Sequence, residues 1–170
     1  MKIIEEILDR RSIREYSQKA VEPEKLARIL EAARMAPTAR NQQDWKLILV
    51  KKPDIKDKLV ESASPQQQFL KGAPIIIAAC AVKPTYVMRC GHPAFLIDLA
   101  IVLEHVALQA VREGLGTCWI GSFDEKRAKL VLGIPQEVRI VELMSLGYPE
   151  NIPPARKRKP IDDLIGWDSW

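Results

Sequence analysis

Apolar and polar positions change period several times along the chain, and each change marks an element. Ile3, Ile4, Ile7 and Leu8 recur at helical spacing, with acids early and Arg10 and Arg11 late, so a short helix opens the chain. A second helix starts around Val21-Glu22-Pro23-Glu24 and carries Leu26, Ile29, Leu30, Ala33 and Met35 on one face. Pro23 suits its first turn and Pro37 ends it. Ala32, Ala33 and Ala36 are small enough for close packing or close ligand approach. Residues 46–50 read as a buried strand. Pro53 opens a helix of modest pattern through Leu59 and Val60. Residues 64–70, with three amides in a row, predict a short helix broken by Gly72-Ala73-Pro74.

Residues 75–82 are an uninterrupted apolar run between turns, which predicts a central strand with Cys80 as a core thiol. Residues 83–93 are irregular. Residues 95–112 form the longest helix, apolar around most of its circumference and interrupted by Asp98, Glu104, His105 and Gln109. Such a helix is buried on more than one side, at the centre of the fold or between two subunits. Its polar residues argue against a membrane span, and His105 reads as a satisfied interface or core histidine. Gly114-Leu115-Gly116 stops it. Residues 117–123 then read as a strand leading into a Gly-Ser turn. Asp124 caps a helix to Leu132, and residues 138–146 make the last strand, closed by Gly147-Tyr148-Pro149.

After residue 150 the pattern stops. Asn151-Ile152-Pro153-Pro154 is stiff and extended, Arg156-Lys157-Arg158-Lys159 carries four consecutive cations, and Trp167 and Trp170 finish the chain. Two tryptophans on a tail seek a surface to bury against, and wrapping a partner subunit provides one. The basic run could also touch nucleic acid, but it lacks interleaved aromatics, and nothing else in the chain serves that role.

A length of 170 residues with 47% apolar and 28% charged residues indicates one globular domain, residues 1–170, with 151–170 as an arm. The net charge of +4 favours anionic ligands in general. The start of the chain is short and acidic rather than signal-like, and no run approaches a membrane span. Cys80, Cys90 and Cys118 show no paired metal spacing, so free thiols and a cytoplasmic location are expected.

Three stretches carry candidate chemistry. Arg10-Arg11-Ser12-Ile13-Arg14 puts three guanidiniums and a hydroxyl within five residues, a set that grips phosphate or simply suits a helix C-terminus. Residues 37–45, Pro-Thr-Ala-Arg-Asn-Gln-Gln-Asp-Trp, offer the donors and acceptors that the edge of a polar heterocycle needs, or else form a solvated loop. Gly116 and Gly121 let backbone approach backbone or ligand. Cys90-Gly91-His92 lacks a third ligand and reads as ordinary loop, so no metal is expected.

Taken in order, residues 10–14, 36–45 and 114–121, Leu146-Gly147-Tyr148-Pro149 and the basic run 156–159 give a chain that resembles the FMN-dependent nitroreductase family. Asp44 departs from it, since the family usually has proline before the tryptophan. The resemblance implies an α+β fold with a mixed, mainly antiparallel sheet flanked by helices. It also implies an intertwined homodimer with FMN at the interface and a C-terminal arm exchanged between subunits. It places Arg10, Arg11, Ser12 and Arg14 on the phosphate and flavin side of one subunit, with Arg14 at the N1/O2 edge. Pro37, Thr38, Ala39 and Asn41 come from the other subunit. Backbone at Ile120, Gly121 and Ser122 faces the ring near N5, Gln68 reaches the pyrimidine edge, and Arg156 and Arg158 close on the phosphate. The expected activity is two-electron ping-pong transfer from NADH or NADPH through FMN to a nitroaromatic, quinone or flavin. It needs no catalytic side chain and no nucleic acid or membrane partner. The alternatives are FMN storage, dehalogenation or flavin breakdown on the same fold.

Overall fold

The run Ile75–Ala81 is buried at every position, as a strand must be when both faces of its sheet are covered. In the computed structural model, which describes residues 3–170, it is β2 of a single sheet. The other strands are β1 (Trp45–Val50), β3 (Gly116–Ile120) and β4 (Arg139–Gly147), and the order is β1-β2-β4-β3. All three pairings are antiparallel. The parallel component expected of a mixed sheet is limited to an isolated bridge between Ser12 and Thr117 beside β3.

Helices cover both faces. α2 (Pro23–Arg34) and α4 (Ala94–Arg112) share one core with the sheet, where Ile29, Leu99, Leu103 and Val106 meet Ile77 and Met144. α3 (Pro53–Ala63) and α5 (Glu125–Leu132) cover the other face, with Leu59, Val60 and Ala128 against Ile76 and Leu143. The punctuation read from sequence is used as expected. The Asp124 carboxylate accepts the Arg127 N–H at 3.0 Å, and Gly133 ends α5 in the left-handed region at φ 64°. α1 (Glu5–Asp9) is a short helix lying along α4, tied by Arg112 to Glu6 at 2.9 Å.

α4 corrects one expectation. Its length and mean hydropathy of 1.8 would suffice to cross a bilayer despite its polar interruptions. In the fold it serves as the central helix, with Leu99, Val102, Leu103 and Val106 fully buried, while Leu96 and Ile97 stay exposed. His105 is satisfied through Nδ1 on the Ala32 carbonyl at 3.1 Å. The helix expected over 64–70 is instead a 3-10 turn, Gln68–Gly72. Pro74 prevents further helix here, and the buried Lys56 ammonium fixes the end of the turn by donating to the Ala73 carbonyl at 2.6 Å. Residues 151–170 are exposed throughout, with one 3-10 turn at Ile161–Asp163.

Candidate functional site

The arginine-rich segment leaves α1 and runs beside β3. The Ile13 N–H donates to the Thr117 carbonyl at 2.9 Å, and Ser12 pairs with Thr117. Gly116 makes this contact possible, since a Cβ there would sit 2.3 Å from Ile13 Cγ1. Buried Tyr16 anchors the end of the segment by hydrogen bonding to the Ser145 hydroxyl at 2.7 Å and donating to the Ile13 carbonyl at 2.8 Å. The segment is therefore fixed by backbone, and its side chains are left to bind. Arg14 is exposed and stands 5.8 Å from the centroid of the Phe69 ring. Arg11 Nη1 donates to the Leu8 and Arg10 carbonyls, but its Nε is buried without a partner. Arg10 reaches only the outer limit of an ion pair, 4.0 Å from Glu104. Three cations with this much unused donor capacity suit a dianionic phosphate.

The same edge of the sheet leads to the exposed turn after β3. Gly121 and Ser122 lie there, next to buried Ile120. Gln68 is the amide expected at the pyrimidine edge of the ligand. Gln66 is the one that reaches the turn, donating to the Ser122 carbonyl at 2.6 Å and bonding its hydroxyl at 2.8 Å. Gln68 turns back onto the Pro65 carbonyl at 2.8 Å. Sequence reasoning also passed over Glu142. It sits on β4 beside Gly121, and burial pushes its carboxyl above the usual range.

The polar loop after α2 is a separate unit. Arg40, Asn41 and Gln43 all adopt positive φ, at 55°, 54° and 53°. Non-glycine residues in this region cost of order 1–2 kcal/mol each, so the surroundings must hold them. Asp98 of α4 accepts the Ala39 N–H at 2.9 Å, and the Thr38 hydroxyl accepts the Gln43 N–H at 3.1 Å. Arg40 stacks 4.5 Å from the Tyr86 ring centroid. Pro37 and Asn41 are exposed at the loop surface. Asp44, the departure from the expected proline, accepts the Val82 N–H on its carbonyl and faces Lys83 at 4.0 Å.

The two units touch different turns of α4, one at Asp98 and the other at Glu104. Six residues of helix separate these, about 9 Å along the axis. Arg156 and Arg158 lie on the exposed tail, and Arg158 Nη1 donates to the Arg156 carbonyl at 3.3 Å. Within one chain the segment carrying Arg10, Arg11, Ser12 and Arg14 meets β3 at Gly116 and Thr117, and Ile120, Gly121 and Ser122 lie at the other end of that strand. Pro37, Thr38, Ala39 and Asn41 stand in the loop held against Asp98 of α4, and Arg156 and Arg158 lie on the exposed tail apart from both groups. Cys80 and Cys118 are buried and burial raises both thiols, Cys80 to about 11, while Cys90 is exposed. Among the described residues, no cluster of three or more His, Cys, Asp or Glu could hold a metal.

A family model described as Nitroreductase family matches residues 7–68 and 61–148. The chain is 34% identical to a nitroreductase family protein of known structure from Clostridium novyi NT, with 88% of each chain covered and a TM-score of 0.78. It is 27% identical to an FMN-dependent nitroreductase from Clostridium difficile, over 97% of this chain and 98% of that one, at a TM-score of 0.81. A relative from Bacillus subtilis named FMN reductase [NAD(P)H] is 28% identical, over 93% of this chain and 70% of its own length.

Proposed function

The chain belongs to the nitroreductase family, and on that premise we propose that it is an FMN-dependent NAD(P)H oxidoreductase working as a homodimer. The observation that carries this is the divided site. A phosphate-suited arginine segment and an open Gly-Ser turn share one sheet edge, while a strained polar loop stands about 9 Å further along α4. A second copy supplies what one copy lacks. Exposed Ile4, Ile7, Leu8, Met35, Leu96 and Ile97 offer an apolar face for it. The tail, with exposed Ile161, Leu164, Trp167 and Trp170, provides an arm to clasp it.

The residues present fit FMN, because the unpartnered Arg11 Nε and the free face of Arg14 are donors awaiting an anion. Arg10, Arg11, Ser12 and Arg14 would hold the phosphate and the pyrimidine edge, with Arg156 and Arg158 of an exchanged arm closing over them. The backbone of Ile120, Gly121 and Ser122 would face the ring. Pro37, Thr38, Ala39 and Asn41 would meet it from the other subunit, and Gln68 would have to leave the Pro65 carbonyl to reach its pyrimidine edge. FMN supplies the two-electron chemistry when bound; the protein binds, orients and sets the charge around it. Arg14 places a cation where reduction adds negative charge. The same cations attract a phosphate-bearing donor. The acceptor class is nitroaromatic, quinone or free flavin.

An anaerobic visible spectrum of the purified protein tests this. A flavin band that bleaches on adding NADH or NADPH is the expected result. A colourless protein that takes up no FMN overturns the assignment. A band that neither nucleotide bleaches moves the function to flavin storage.

A further inference from the structure

Glu142 is a carboxylate set beside Gly121, and among the described residues it makes no salt bridge. The register of β3 on β4 pairs Ile120 with Leu143. One step further along the same ladder sets Gly121 across from Glu142. The geometry confirms it, since a Cβ on Gly121 would lie 3.5 Å from both Glu142 carboxylate oxygens. On its other side Glu142 pairs with Ala79 of β2. It therefore stands half-buried between two of the smallest residues, with the exposed turn at Gly121 and Ser122 beside it. The backbone aims it there. Ala79 pairs with Glu142 while the next residue, Cys80, pairs with Ile140, so Val141 is an extra residue in β4. Such bulges re-aim side chains and gather next to active sites.

The ionisable groups on the surrounding elements do not neutralise it. Arg139, on its own strand, is taken up by Glu125 at 2.9 Å. Asp98 of α4 accepts from the Ala39 N–H, and Asp44 faces Lys83. Lys46 of β1 lies opposite Cys80, one position out of step with the row Leu47, Ala79 and Glu142, so it projects from the other face of the sheet. Buried Cys118 of β3 feels both the Arg14 guanidinium and the Glu142 carboxylate, and among the described residues these two form no salt bridge with each other. Burial raises the Glu142 carboxyl above the usual carboxylate range.

We infer that Glu142 carries the second proton of the reaction: its carboxylate binds a proton from solvent as the cofactor beside Gly121 is reduced, and releases it to the acceptor. This deepens the proposed function and rests on it. The balance closes. Reduction of a quinone to a quinol takes two electrons and two protons. Hydride from the dinucleotide accounts for both electrons and one proton, and Glu142 accounts for the other. The oxygen of the acceptor gains the O–H bond as the carboxyl O–H breaks. Negative charge arriving beside an uncompensated carboxylate favours its protonated form, so uptake is tied to reduction and release to reoxidation.

The test is the pH dependence of the flavin midpoint potential in the FMN-loaded full chain, for wild type and Glu142→Gln. One proton per two electrons gives a slope of about 30 mV per pH unit and two protons give about 59 mV. Wild type is expected to follow the steeper slope over a pH window in which Glu142→Gln follows the shallower one. Reduced-minus-oxidised infrared difference spectra of wild type should show a protonated carboxyl band that the variant lacks. Equal slopes in two yellow proteins, or no carboxyl band on reduction of wild type, overturn the inference while leaving the proposed function standing. A chain that binds no FMN overturns both.

Discussion

Gly116→Ala tests whether the arginine segment is clamped to β3. The added Cβ would come within 2.3 Å of Ile13 Cγ1 and 3.0 Å of Ile13 Cβ. Ordinary contact needs about 3.4 Å or more, so Ile13 must retreat by roughly 1 Å. Ile13 is 3% exposed and its N–H is bonded to Thr117, so it retreats by carrying Ser12 and Arg14 with it. Overpacking of this kind costs about 1–3 kcal/mol. If the strain appears in the site, it equals about a fivefold to a hundredfold loss of FMN affinity; if it appears in the fold, the denaturant midpoint falls instead. Equilibrium urea unfolding and FMN titration by fluorescence measure both. Gly72→Ala is the control, because nothing lies within 4 Å of its Cβ. Ile13→Ala in the Gly116→Ala background should restore room, giving a double-mutant cycle with favourable coupling. If Gly116→Ala matches wild type in both midpoint and affinity, the clamp does not exist and the placing of Ser12 and Arg14 fails with it.

Four further outcomes are expected. Arg14→Ala removes a charge-assisted contact worth about 1.5–3 kcal/mol, so FMN affinity should fall about tenfold or more by titration, with a lower midpoint potential. Ending the chain after Glu150 should shift the protein towards monomer in sedimentation and release FMN; a yellow dimer would show that the arm takes no part in the site. Asp98→Ala frees the Ala39 N–H and relaxes the strained loop, so hydrogen exchange at Ala39 to Gln43 should accelerate. The carboxyls of Glu22, bonded by Tyr148, and Glu113, bonded by Arg28, are both held at about 2. Their folded values lie below the unfolded ones, so the stability they contribute is present above about pH 4.5 and is lost as pH falls towards about 2. Tyr148→Phe should flatten that acid decline in urea midpoints measured across pH.

Much of the fold is legible because proline and glycine punctuate this chain at element ends. Pro23 and Pro53 start helices, Gly133 stops one, and the unbroken run of β2 leaves only a central strand as its reading. The arginine segment and the polar loop stand out for the same reason, since they place unusual chemistry between periodic runs. What sequence hides is information held across the sheet. Consecutive glutamines look alike in sequence, yet Gln66 reaches Ser122 while Gln68 folds back onto the Pro65 carbonyl at the start of the 3-10 turn Gln68–Gly72. Positive φ at Arg40, Asn41 and Gln43 has no glycine to announce it; Asp98, more than fifty residues later, holds the loop in place. Glu142 reads as one polar position in the last strand until the bulge at Val141 and the register with Gly121 are known. Each hidden feature depends on a partner distant in sequence, whereas each legible one is local. The chemistry proposed for this protein draws on both. Local sequence supplies the cations that suit a phosphate, while long-range register sets an unpaired carboxylate beside the turn where electrons are to be exchanged.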